Sequence, residues 1–172
     1  MNLQDLKIST RLGLGFSVLI LLVILMAGFG LAKVKDTNHS TQTLYEDRVV
    51  PLRQLKVVSD MYNINILNAT IKTAAGLLAP KDALTDMDTA NDKIRTQWTA
   101  YKATYLIEDE KRAVAQAEDQ MAKLQTVLPA LRTALESADR EKIAAMLPAL
   151  YANIPPLIET LDRLAEIQIE EG

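Results

Sequence analysis

The chain has 172 residues, a formal net charge of −3 and no cysteine. That length accommodates one modest domain plus an anchor; the charge excludes the basic footprint of a nucleic-acid binder, and the missing thiols exclude disulfides, thiolate metal sites and covalently attached c-type haem. Gly and Pro number only 6 each, while Ala, Leu, Lys, Glu and Gln dominate, so the composition points to helix.

The first element is an uncharged run from Leu12 to Ala32, centred on Val18–Met26 (VLILLVILM). About 20 apolar residues cross the hydrocarbon core as a helix, so a transmembrane helix over 12–32 is predicted. Gly13, Gly15, Gly28 and Gly30 are of a kind common in membrane helices. Lys7 and Arg11, opposed only by Asp5, keep residues 1–11 cytoplasmic. Lys33 and Lys35 blur that asymmetry, but Asp36 and a long, acidic-leaning segment follow. The alternative is a signal peptide cleaved at Gly30-Leu31-Ala32, although its apolar stretch is longer than the usual h-region. On either reading, residues 36–172 lie outside the cytoplasm.

Four amphipathic segments follow, with apolar residues at alternating three- and four-residue steps, the seam of nearly parallel packed helices. The first, about 37–79, reads Val57, Met61, Ile64, Asn68, Ile71, Ala75 and Leu78, and Pro80 ends it. The second, about 81–106, reads Leu84, Met87, Asn91, Ile94, Trp98, Tyr101 and Tyr105. The third, about 108–136, reads Val114, Ala117, Met121, Leu124, Leu128, Leu131 and Leu135. Asp139 is the expected N-cap of the fourth, about 139–171, which reads Ile143, Leu147, Leu150, Ile154, Leu157, Leu161 and Leu164.

Links of a few residues make sequential helices antiparallel neighbours. The expected fold is all-α: an antiparallel up-down-up-down four-helix bundle over 36–172, preceded by one transmembrane helix. Pro51, Pro129, Pro148 and the Pro155-Pro156 pair are expected to kink or interrupt helices 1, 3 and 4.

The chemistry of an enzyme is missing. His39 is the only histidine and sits among Asn38, Ser40 and Thr41, a solvated linker; one histidine without cysteines makes no zinc, di-iron or haem site. Asp82, Asp86, Asp88 and Asp92 imitate a calcium loop, but Asn91 stands where its glycine belongs and Gln97 where its closing Glu belongs. No phosphate loop or nucleophile elbow is present. Neither a metal nor a cofactor is expected, and the chain reads as a binder or sensor.

Certain stretches are more specific. Helix 2 carries Ala90-x3-Ile94-x3-Trp98-x2-Tyr101, helix 1 opens on Tyr45–Leu55 (YEDRVVPLRQL), and helix 4 holds Leu150–Leu157 (LYANIPPL) and Leu161–Gln168 (LDRLAEIQ). Their order and spacing resemble the extracytoplasmic sensor domain of bacterial methyl-accepting chemotaxis receptors over essentially the whole chain. The resemblance implies a homodimer of bundles in the periplasm of an inner-membrane protein, binding a small solute and passing a helix shift across the membrane. Such receptors continue into a second membrane helix, a HAMP linker and a cytoplasmic coiled coil. The chain stops at Glu170-Glu171-Gly172 without them, which implies a piece of a longer receptor or a shortened relative. Cytoplasmic signalling partners would then be reached only through that further region.

In the serine and aspartate receptors of this family, helix 1 arginines grip the ligand carboxylate and helix 4 completes the pocket. The resemblance puts Asn63, Asn68 and Lys72 at the arginine positions and Ala149 where a ligand-holding threonine belongs. Only Lys72 keeps a charge, so an organic acid is favoured over an amino acid. Tyr151 and Asn153, beside the helix 4 proline break, are the expected partners. Asn68 has a second reading, a polar residue that sets helix register. Trp98 and Tyr101 read as core, and Arg132 as surface. The alternative to a sensor is a non-sensing, membrane-anchored bundle that serves as a scaffold or binds a periplasmic protein.

Overall fold

The computed structural model describes residues 16, 17, 19–27 and 49–170. The chain divides into two compact units, Met1–Tyr45 and Glu46–Gly172. In the first, residues 16, 17 and 19–27 are helical, and the side chains of Phe16 and of Leu19–Met26 are exposed. Among the described residues no helix is long and apolar enough to cross a membrane. Residues 12–15, 18 and 28–32 of the predicted span, His39 and the Tyr45–Arg48 part of the helix 1 pattern lie outside them.

The second unit is an all-α bundle of four rods. The first rod is composite: α1 (Val50–Asp60), a π-helical segment (Met61–Asn68) and α2 (Ala69–Ala74). The second is α3 (Pro80–Lys102), the third α4 (Glu108–Glu136), and the fourth α5 (Arg140–Ala145) with α6 (Leu147–Glu170). Contacts between rods fix their direction. Asp88 meets Arg132 and Lys102 meets Glu118 across α3 and α4; Gln120 meets Pro156 and Glu110 meets Gln168 across α4 and α6. As one number rises the other falls, so these neighbours are antiparallel. The first rod packs on both α3 and α6, which closes the ring.

Proline and capping chemistry set the rod ends. Pro80 occupies the first turn of α3 after an extended Ala79, where its missing N–H costs no ladder bond. The carboxylate of Asp139 accepts from the backbone N–H groups of Glu141 at 3.1 Å and Lys142 at 3.3 Å, capping α5. Those donors, with Lys142 foremost, hold its pKa below the usual carboxylate value. The first rod ends on Gly76 at φ +76°, with Leu77 N–H reaching the Lys72 carbonyl at 2.8 Å. A Cβ at Gly76 would lie 2.6 Å from the Arg140 guanidinium, so the glycine also admits that side chain.

Prolines inside the rods interrupt less than expected. Pro129 sits on the exposed side of an unbroken 29-residue α4, and α6 runs through Pro155 and Pro156. The fourth rod breaks at Met146, immediately before the Leu147-Pro148 start of α6. An exposed proline removes a donor from the solvent side, where water can serve the freed carbonyl.

The core confirms most of the apolar seams and corrects one. All seven seam positions of the third rod are buried, as are six of seven in the fourth, where Leu147 is half-buried. In the second rod Tyr105 is 88 % exposed because the helix ends at Lys102. In the first rod the buried positions are Pro51, Gln54, Leu55, Val58, Tyr62, Ile66, Leu67, Ala69, Thr70 and Thr73. Ile64, Asn68 and Ala75, expected inside, are exposed, and Val57, Met61 and Ile71 are half-buried. Two neighbouring stripes of this rod are apolar, and the stricter 4-3 repeat belongs to the outer one. The π-helical winding also shifts the phase: the Ala69 N–H reaches the Ile64 carbonyl, five residues back.

Candidate functional site

A groove of about 430 Å³ runs between the first and fourth rods. The π-helical segment contributes Asn63, Leu67 and Asn68, and α2 adds Ile71; α6 supplies Tyr151, Pro155, Ile158 and Glu159. Leu67 is buried at its base, whereas Asn63, Asn68, Tyr151 and Glu159 are exposed. The wall is therefore largely apolar, with two carboxamides, a phenol and one carboxylate as polar handles.

Three of the five expected ligand residues, Asn63, Asn68 and Tyr151, line this groove. Lys72 does not line it; it is exposed on α2, one turn beyond Asn68. Asn153 does not line it either: its Nδ2 donates to the Ala149 carbonyl at 2.7 Å within α6. Asn68 cannot set the register of the bundle core, because it faces outward. Leu67, Ile71, Pro155, Ile158 and Glu159 are not among the expected ligand residues; the sequence pattern marks Ile71 only as seam and Pro155 only as a helix break. The first four look like ordinary apolar residues, and Glu159 looks like ordinary surface charge; only the packing of the first rod on α6 brings them together.

The groove has polarity. The Gly76 turn meets Arg140 at the start of α5, so the end of the first rod lies by the beginning of the fourth, and the two run antiparallel. Lys72 therefore belongs to the Tyr151 end, and Glu159 to the Asn63 end. The lining itself is anionic at the Glu159 end, and Lys72 stands outside the lining, beyond the other end.

The other singled-out side chains have structural partners. Trp98 and Tyr101 are buried and stacked, with ring centroids 5.6 Å apart. Arg132 pairs with Asp88 and lies 3.9 Å from Glu136. In the acidic ladder, Asp92 pairs with Arg95 at 3.0 Å and Asp86 accepts from Asn65 Nδ2 at 3.5 Å. Among the described residues no group of three or more His, Cys, Asp or Glu is placed to hold a metal ion.

At the opposite end of the bundle, Glu110 is 3 % exposed and joins three rods. It accepts from Tyr101 Oη at 3.1 Å, from the Ile107 backbone N–H at 2.9 Å and from Gln168 Nε2. Burial first, and then the adjacent Glu110 charge, raise the Tyr101 pKa above that of a free phenol. Burial alone pushes Tyr62, beneath the π-helical segment, up to about 12.

Comparison with known proteins agrees with this architecture. The family described as a four helix bundle sensory module for signal transduction matches residues 5–172. The chain is similar to the methyl-accepting chemotaxis protein NahY of Pseudomonas putida, with 31% identity over 175 residues. That match takes in 99% of this chain but 32% of the relative, so the chain spans about a third of the relative's length. No solved structure matches the chain. The packing of the rods, the residues matched and the relative agree: the chain belongs to the non-enzymatic family of four-helix-bundle sensory modules found in methyl-accepting chemotaxis proteins.

Proposed function

We propose that the chain is the ligand-binding part of a membrane-bound chemoreceptor, taking a small organic acid in the groove between the first and fourth rods. The observation that carries this reading is the convergence of Asn63, Asn68 and Tyr151 on one half-apolar groove. The carboxylate would lie toward the Tyr151 end, with Lys72 close by, and the less polar body would rest on Leu67, Ile71 and Ile158. Glu159 disfavours a second negative charge at the far end. The 12–32 run is read as the membrane helix and the bundle as periplasmic, in the inner membrane of a bacterium.

The same reading takes the protein as a homodimer. The outer stripe of the first rod, Val57, Met61, Ile64, Asn68 and Ile71, keeps a 4-3 repeat while remaining partly or wholly exposed, as a seam awaiting a second helix does. Such a seam lies beside the groove, so a bound solute can favour one arrangement of two copies over another. In that arrangement the fourth rod would carry a shift of about 1–2 Å toward its far end.

Calorimetry and thermal-shift screening of the chain against mono- and dicarboxylic acids and amino acids test the reading. Saturable binding of an acid that weakens in Lys72→Ala is the expected result. If Lys72→Ala leaves the affinity for every bound acid unchanged, the site is wrongly assigned.

A further inference from the structure

A second groove, lined mostly by polar side chains, lies on the other flank of α6, where it packs against α4. Its volume is about 260 Å³, and Gln116, Gln120, Pro156, Glu159, Thr160 and Arg163 line it. Two observations distinguish it from a solvated helix face.

The first concerns charge. Glu159 and Arg163 stand one turn apart on α6, both exposed, and no ion pair or side-chain hydrogen bond joins either of them to another described residue. Elsewhere the surface closes such pairs: Lys56 with Asp60, Arg95 with Asp92, Lys111 with Glu108 and Lys123 with Asp119 all do so.

The second concerns a buried acceptor. Gln120 Nε2 donates to the Pro156 carbonyl at 3.3 Å, which anchors the amide, and its Oε1 is buried without a donor. The same carbonyl takes the Thr160 hydroxyl at 3.0 Å. Turning the amide over would set two oxygens against each other, so the amide keeps this orientation, with its acceptor buried behind the groove. A buried acceptor without a donor is unfavourable until something supplies one.

We propose that this groove binds a small zwitterion whose ammonium and carboxylate are separated by several bonds, an ω-amino acid by chemical class. Arg163 takes the carboxylate with its planar fork. Glu159 takes the ammonium, beside the anchored Gln120 amide. Four residues of helix separate the two charged side chains by roughly 6 Å along the axis. An α-amino acid carries its charges on neighbouring atoms and would leave one partner unanswered. The space is below the roughly 300–1,000 Å³ of drug-sized pockets, so only a short chain fits. Glu159 also borders the groove assigned to the organic acid, so an occupant here draws negative charge away from that neighbour. The two sites are otherwise independent, and either can fail without the other.

Titration calorimetry of the full chain in detergent, with 4-aminobutanoate as probe, tests the proposal. Butanoate and butylammonium serve as one-charge analogues, and glycine as the adjacent-charge one. Saturable binding of 4-aminobutanoate is expected, with each analogue weaker by about tenfold or more, the worth of one charge-assisted contact. Arg163→Ala and Glu159→Gln, at exposed positions, should each lower the affinity by about tenfold with an unchanged circular dichroism spectrum. The absence of saturable heat at millimolar probe overturns the proposal, as does binding indifferent to both substitutions. Binding lost in Asn68→Ala but retained in Arg163→Ala would put the zwitterion in the other groove and overturn it equally.

Discussion

The Tyr101 hydroxyl, fully buried at the end of α3, donates to the Glu110 side chain at 3.1 Å across the turn into α4. Gln168, in the last turn of α6, donates to the same side chain. One buried acid therefore ties the closing turn of the fourth rod to the hinge between the second and third. Glu110→Ala leaves a phenol, an amide and a backbone N–H without their acceptor, and should destabilise the fold by about 3 kcal/mol. Tyr101→Phe, which removes a single donor, should cost about 1–2 kcal/mol. Urea unfolding followed by circular dichroism measures both, and a Glu110→Ala loss no larger than that of an exposed substitution would refute the account.

Alkaline sensitivity follows from the two buried phenols. Tyr62 has its pKa raised by burial to about 12, and Tyr101 is raised as well. The folded state thus holds these protons above pH 10, where the unfolded chain releases them. Their stabilising contribution is complete below pH 10 and is lost as pH rises from there through the folded values. Thermal midpoints should fall over that window, and Tyr62→Phe should reduce the slope.

Two left-handed positions give opposite expectations. Ala138, at φ +53°, carries a side chain where glycine would be relaxed, so Ala138→Gly should stabilise by about 1 kcal/mol. Gly76→Ala should destabilise by about 1–2 kcal/mol through the same backbone penalty, and the Arg140 guanidinium must also move. Differential scanning calorimetry reads both signs.

At the next cap, Asp139→Ala should lower the thermal midpoint at neutral pH. Its folded pKa is depressed by the Lys142 backbone N–H. The contribution is therefore present above its unfolded value near 3.9 and lost as pH falls through the folded one. As pH falls below that unfolded value, the gap between the melting points of the variant and the parent should narrow.

The outer stripe of the first rod gives a test of association. Ile64→Lys places a charge at the middle of the 4-3 repeat, on an exposed position the bundle core does not use. Sedimentation should show a dimer for the parent chain and a monomer for the variant, each with the same helical content. A variant that still dimerises would exclude this stripe as the seam.

Much of the architecture was legible because three rods place a single apolar stripe on each helix. Val114 through Leu135 have only one face on which they can all be buried, and the sequence period identifies it. The first rod was harder. Leu55, Val58, Tyr62 and Ile66 compete with Val57, Met61, Ile64 and Ile71, and periodicity alone favours the more regular set, which is the outer one. Family resemblance points to Asn63, Asn68 and Lys72 and the proline break to Tyr151 and Asn153, but only packing decides that Asn63, Asn68 and Tyr151 line one groove. Glu159 and the orphaned Gln120 Oε1 leave no mark in one dimension, since their meaning arises only where α6 meets its neighbours.

The wide winding between Met61 and Asn68 has an evolutionary consequence. In an ordinary helix, deleting one residue turns everything beyond it by roughly 100° and scrambles which side chains point inward. Here the ladder already reaches five residues back, so a single deletion can be absorbed by tightening to the usual four. The two flanks would then keep their inward faces. This stretch, which also walls the groove, can therefore lose a residue and change its outer face while the inward faces of the bundle stay as they are.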